Sequence, residues 1–243
     1  MGNQHFTRIV MDPDQSREIY DQWHTKLGPD KDGPDSPWHR MAKRAVDDLN
    51  GKSVLEIGCG RGGFSAYLAS LGAKLTAADF SCAAVRMARE QLRRFENCES
   101  ITADVQNVPF PDGSFDLVIS LETLEHVPEP DQGLAELVRV TKIGGKLIIS
   151  TPNYFGLLGI YRAYREATGR RYTEIGQPIN QPLKLKERVR KLKELGCRID
   201  VVDGCGHYLY LPRIRPIRMK WLDHPRVLTK WLAAHSLTVA TRL

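Results

Sequence analysis

Residues 52–71 read KSVLEIGCGRGGFSAYLASL, and the rest of the chain is organised around them. Ser53 to Ile57 is a short apolar run that ends in Gly58-Cys59-Gly60-Arg61-Gly62-Gly63. Phe64, Tyr67, Leu68 and Leu71 follow at helical spacing. A glycine turn between a strand and a helix is the context in which such a pattern binds a ligand. The reason is steric: without side chains the backbone turns sharply, and a ligand reaches the amides at the helix N-terminus.

Gly58, Gly60 and Gly63 satisfy the spacing G-x-G-x-x-G used for dinucleotides. Glu56 stands two residues before the first glycine, where a carboxylate repels a diphosphate and favours a cationic ligand. A tight turn with an incidental acid is the plain alternative. The stretch E-x-G-x-G-x-G resembles the first motif of class I S-adenosylmethionine-dependent methyltransferases, whose cofactor bears an ammonium and a sulfonium and no phosphate.

Asp79 ends the second strand, 21 residues after Gly58, and a carboxylate there accepts ribose hydroxyls. Phe80 beside it is placed to pack on an adenine face. Nicotinamide and adenosylmethionine readings both predict Asp79, so it indicates a nucleoside without choosing between them. Asp104 and Val105 follow the third strand, and the resemblance implies that the acid accepts from the adenine amino group while its neighbour packs on the ring. The runs Ala103 to Phe110 and Asp112 to Asp116 are family-like. The resemblance covers residues 50–152 and implies a cofactor set of Glu56, Gly58, Gly60, Asp79, Phe80, Asp104, Val105 and Leu121. A dehydrogenase lacks support, since Tyr161 is followed at the matching spacing by Arg165 rather than Lys.

Leu121 to Pro128 (LETLEHVP) lies just past the fourth strand, where sheet ligands bind. It is similar to the corresponding segment of ubiquinone-biosynthesis O-methyltransferases, as is Ser150-Thr151-Pro152-Asn153. Methyl transfer from a sulfonium needs an aligned acceptor and a group to take its proton. His126 is the candidate general base, because an unperturbed imidazole titrates near neutrality; its alternative role is to fix the loop. Glu122, Glu125 and His126 form a second candidate constellation, for a divalent cation such as Mg that lowers the pKa of an acceptor hydroxyl. The resembling enzymes add a further His after the fifth strand, where this chain has Gln177, Asn180 and Gln181.

From Lys52 the units alternate strand and helix, which predicts a Rossmann-like doubly wound α/β sheet. Strands are expected at 53–57, 74–79, 100–103, 115–120, 146–151, 198–203 and 237–240, the last antiparallel by the resemblance. Helices are expected at 40–49, 81–96 (Ser81 as N-cap), 131–140 and 183–195, the third stopping near Gly144-Gly145. Residues 1–50 read as an N-terminal helical lid, with Ile19, Tyr20, Trp23 and Leu27 on one helical stripe. Residues 51–243 read as the methyltransferase domain, with an insertion at 153–182. Tyr208 to Leu222 reads as a surface loop.

Of 243 residues, 42% are hydrophobic and 26% charged, the balance of a globular protein rather than a disordered or membrane-spanning chain. The N-terminus shows no apolar signal-peptide core, and five cysteines without C-x-x-C spacing fit a reducing cytoplasm. Net charge is +6, but residues 1–160 carry 17 Lys/Arg against 22 Asp/Glu, and residues 161–243 carry 18 against 7. The basic end suggests an anionic partner or a solvated face. Leu157, Leu158, Ile160 and Tyr161 beside Arg162, Arg165, Arg170 and Arg171 suit peripheral contact with an anionic membrane. The expected partner is a small-molecule acceptor methylated at oxygen. Two rivals are an RNA methyltransferase using the basic third, which lacks a recognisable RNA-binding module, and a nonenzymatic adenosylmethionine-binding subunit.

Overall fold

In the computed structural model, residues 12–26, 36–154, 157–169, 179, 181–209, 217–219 and 232–243 are described. Their centre is strand β1 (Ser53–Ile57), whose Val54 to Ile57 are all buried. A strand covered on both faces loses polar alternation, and this one is flanked by β2 (Lys74–Asp79) and β4 (Phe115–Leu121), both nearly continuous in buried residues. The sheet runs β3-β2-β1-β4-β5-β9-β6, with β3 at Cys98–Thr102, β5 at Thr141–Pro152, β6 at Cys197–Cys205 and β9 at His235–Arg242. β9 is antiparallel to both neighbours, so the seven-stranded sheet with an inverted last strand is the observed fold.

Two apolar layers sandwich it. Helices α2 (Pro37–Ala45), α3 (Gly63–Ser70) and α4 (Cys82–Leu92) supply Met41, Phe64, Leu68 and Ala88 to one core. Helices α5 (Pro130–Val140) and α7 (Leu185–Glu194) supply Leu134, Leu137 and Leu192 to the other. The order of strands reverses between β1 and β4, because the chain leaves outward from β1 in both directions. At such a switch point the loops splay apart and leave a crevice at the carboxyl ends of the strands.

Several expected boundaries move. Ser81 does cap α4, its Oγ accepting from the Ala84 amide at 3.1 Å. The third strand starts at Cys98, because it pairs with β2 from Leu75 onward. Helix α2 begins at Pro37 behind the Ser36 cap and stops at Ala45, where Val46 is extended. Gly144 and Gly145 do not end a helix; α5 ends at Val140 and they lie inside β5. Part of the expected 208–222 surface loop is a short hairpin, β7 (Tyr208–Leu209) with β8 (Ile217–Arg218). Helix α1 (Pro13–Lys26) confirms the first apolar stripe, although Leu27 lies outside the described residues, as do Arg170, Arg171, Gln177 and Asn180. α6 (Leu157–Ala167) occupies the first part of the 153–182 insertion.

Candidate functional site

The turn after β1 is held open by glycine. Gly58 and Gly60 have φ of +78° and +53°. A Cβ on Gly58 would stand 2.0 Å from Oγ1 of Thr123 in the loop after β4, so this position has no room for a side chain. The amides of Gly58 and Cys59 both donate to the carbonyl of Ala78 in β2, and the amide of Gly60 donates to Oδ2 of Asp79 at 2.8 Å. Oδ1 of Asp79 accepts from the Ser81 amide at 2.9 Å. Asp79 therefore welds the end of β2 to the glycine turn, while each carboxylate oxygen keeps a second lone pair for a ribose hydroxyl.

Glu56 is not an open negative charge. It is 3% exposed and accepts a 2.5 Å hydrogen bond from Ser65 on α3. Burial pushes its carboxyl up to about 8, the Ser65 bond opposing and the charge of Asp79 adding to the rise. The acid is thus largely protonated at neutral pH, and a cation arriving beside it reverses that. Burial likewise raises the neighbouring Cys59 thiol. A buried acid that a cation would ionise, a doubly anchored carboxylate and a glycine turn free of side chains match the chemistry of adenosylmethionine.

The remaining expected cofactor residues divide. Phe80 lies against helix α1, with Tyr20 edge-on at 6.3 Å and the Arg17 guanidinium 4.7 Å from its ring centre. Leu121, the last residue of β4, is buried beside the turn. Val105 is buried in the α5 layer, against Gly133. The carboxylate of Asp104 is occupied by its own loop, accepting from the backbone and side-chain nitrogens of Gln106 at 2.8 and 3.1 Å.

Helix α1 lies across these loops. Asp21 accepts from Ser81 Oγ at 2.5 Å and from the Ala83 amide at 3.0 Å, at the N-terminus of α4. Arg61 of the glycine turn reaches back to the His24 carbonyl at 2.6 Å, and Tyr20 donates to the His126 carbonyl at 3.1 Å. One helix thus touches the turn after β1, the end of β2 and the loop after β4. Asp21 carries no distinguishing pattern in the sequence; only folding brings it to the N-terminus of α4 and Arg61 to the end of α1.

The loop after β4 separates the three residues expected to share a cation. Oε2 of Glu122 accepts from Nδ1 of His235 at 2.8 Å and Oε1 accepts from Ser150 Oγ at 2.7 Å. His126 donates Nδ1–H to the Ile179 carbonyl at 2.8 Å, and its Nε2 is 3.6 Å from Glu125. Burial holds the His126 imidazole below its usual pKa. Gln181 takes the place expected of a fourth ligand, but it fastens the loop: its amide donates to the Glu125 carbonyl, and Nε2 donates to Val127 and Pro128. Among the described residues, no three His, Cys, Asp or Glu side chains converge as metal ligands.

Sequence reasoning missed Arg188 and His235. Arg188 is buried between α7 and the sheet and bonds the hydroxyls of Thr151, Ser236 and Thr238. Burial lowers its guanidinium to about 10, which leaves it charged at neutral pH near Glu122 and Glu125. Neither residue stands in a recognisable local pattern. Both become legible only once β9 is seen inserted beside β5.

Residues 55–149 match a family model described as a methyltransferase domain. A demethylmenaquinone methyltransferase from Clavibacter sepedonicus is 39% identical over 142 residues, covering 57% of this chain and 57% of that protein. A ubiquinone biosynthesis O-methyltransferase from Xanthomonas oryzae pv. oryzae is 40% identical over 134 residues, covering 51% and 55%. The chain thus spans a little over half the length of these relatives. A SAM-dependent methyltransferase structure from Methanosarcina mazei superposes with a TM-score of 0.59 at 21% identity, covering 84% of this chain and 97% of that one, which supports the fold.

Proposed function

The chain carries a class I S-adenosylmethionine-dependent methyltransferase domain, and from that premise we propose that it methylates a hydroxyl oxygen of a small, flat acceptor. The observation behind the reading is the junction at the switch point, where Asp79 ties β2 to the glycine turn and Thr123 fills the space beside Gly58. Bound there, the cofactor supplies a methyl group made electrophilic by its sulfonium. The chain's own residues do the rest: Asp79 holds the nucleoside hydroxyls, Glu56 faces the cationic end, and α1 closes over both as a lid.

The names of the relatives favour a quinone-like acceptor, one of them methylated at oxygen. His126, neutral and tied to Ile179, fits the role of securing the loop over the acceptor better than that of base. α6 supports peripheral membrane contact through its apolar side chains: Ile160 is 68% exposed and Tyr164 partly so, whereas Arg162 pairs with Glu166 and Arg165 with Tyr161. No helix among the described residues is long and apolar enough to cross a membrane. A lipid-borne acceptor would be met at that surface.

The test is transfer of labelled methyl from adenosylmethionine into a cell extract fractionated into organic-extractable, water-soluble, RNA and protein pools. Organic-extractable label, released as methyl iodide by hydriodic acid, is the expected result, since that reagent cleaves methyl ethers. The name of the Clavibacter relative favours a second reading, methylation at carbon, in which the label resists hydriodic acid. Label confined to RNA refutes both.

A further inference from the structure

Helix α1 crosses the crevice without entering either apolar core: among the described residues, none from 12–26 belongs to the two clusters that bind the sheet to its helices. Its apolar stripe is only half-buried at Ile19, Tyr20 and Trp23, and the side chains it does bury, Ser16 and His24, are polar. A helix of 14 residues is marginal by itself in water, so the place of α1 is set by what fastens it to the loops beneath.

Two of those fastenings use helix ends. Oδ1 of Asp21 accepts from Ser81 Oγ at 2.5 Å and from the Ala83 amide at 3.0 Å, at the N-terminus of α4. The Arg61 guanidinium donates at 2.6 Å to the carbonyl of His24, in the last turn of α1. Each places a charge on the helix end of opposite partial charge, a carboxylate at open amides and a guanidinium at open carbonyls. Arg17 over the Phe80 ring and Tyr20 on the His126 carbonyl complete the set. α4 does not need Asp21 in order to form. Ser81 already caps it, through Oγ on the Ala84 amide, and Asp79 accepts the Ser81 amide. The bonds of Asp21 therefore serve the helix that carries it.

We propose that Asp21 and Arg61 are latches that keep α1 shut over the cofactor, and that the cofactor enters and leaves when they release. The proposal rests on the cofactor lying over the glycine turn, as read above. Since α1 takes no core residue with it, it opens at a cost well below that of unfolding the sheet. The latch bonds join protein groups to one another, so they slow entry as well as exit. Asp21 and Arg61 are positioning residues, acting on exchange through the helix.

The experiment follows labelled adenosylhomocysteine onto the full chain, and off it after an unlabelled chase, by rapid filtration. Asp21→Ala should quicken association and release alike, each on the order of tenfold, with Kd within about twofold of wild type. Asp21→Asn, which keeps an acceptor and loses the charge, should fall between. Without ligand, amides of α1 should exchange with deuterium about tenfold faster in Asp21→Ala, while those of β1 and β4 keep wild-type protection, which certifies the fold. Unchanged rates in Asp21→Ala overturn the proposal. So does faster release with unchanged association, which would make Asp21 a support of the bound state rather than a gate. Exchange of α1 amides only through global unfolding overturns it as well. Should Asp79→Asn and Gly58→Ala both bind adenosylhomocysteine as wild type does, the placement of the cofactor is refuted and the latch with it; weakened binding there with unchanged rates in Asp21→Ala refutes the latch alone.

Discussion

Replacing Glu56 by Gln isolates the most perturbed carboxyl in the candidate site. Its pKa is about 8 in the folded protein against 4.5 for an ordinary glutamate. The native state therefore holds a proton across the interval in which the unfolded chain has released it, and stability falls as pH rises through that window. Linkage between these two values makes the loss roughly 3 to 4 kcal/mol from pH 5 to pH 8, nearly all of it from burial. Glutamine keeps the shape and cannot ionise, so the difference in unfolding free energy between variant and wild type should widen by about that amount over the interval. Urea unfolding of both proteins at pH 5, 6, 7 and 8 measures it, and subtracting one from the other removes the contribution of the histidines. The same acid reports the ligand. Most of the sites are protonated at pH 7, so binding of a cationic amino acid group beside it should release a proton. Calorimetric titration with adenosylhomocysteine in two buffers of different ionisation enthalpy counts that proton. Parallel stability curves for variant and wild type, together with no proton release, would refute the assignment of Glu56 as a buried acid facing the cofactor's cation.

Gly58→Ala should lower stability by at least ~2 kcal/mol and abolish adenosylhomocysteine binding, because the new methyl group meets Thr123 and the φ of +78° penalises any Cβ. Thermal melts and calorimetry read both effects, and shortening Thr123 to Gly should restore only part of the stability. Asp79→Asn should weaken adenosylhomocysteine by more than tenfold, since it replaces an acceptor of two backbone amides and the ribose with a half-donor; equal affinity in the two proteins would rule out Asp79 as the nucleoside contact. Glu122→Gly relieves the left-handed strain but gives up the side-chain bonds to Ser150 and His235, so its melting temperature should fall, and a melt that matched wild type would show those bonds to contribute nothing.

The sequence determined the sheet and the cofactor side of the crevice, because those depend on local chemistry. Apolar strand runs, glycines at a fixed offset from an acid, and Asp79 at the end of the next strand each act within a few residues of the turn they build. Even so, two of their partners were not local: Ser65 meets Glu56 only through the first turn of α3, and Thr123 closes on Gly58 from a loop 65 residues away. The sequence also misjudged the charge of Glu56. A carboxylate in a motif looks ionised until its burial is known, since desolvation is a property of the packed surroundings. The acceptor side was decided by tertiary structure alone. Glu122, Glu125 and His126 stand together in the chain, yet a tight turn in a left-handed conformation sends Glu122 to a histidine 113 residues later and His126 to the end of the insertion. That choice depends on β9 entering the sheet beside β5, an antiparallel pairing whose partners are about 90 residues apart and leave no periodic trace near either residue.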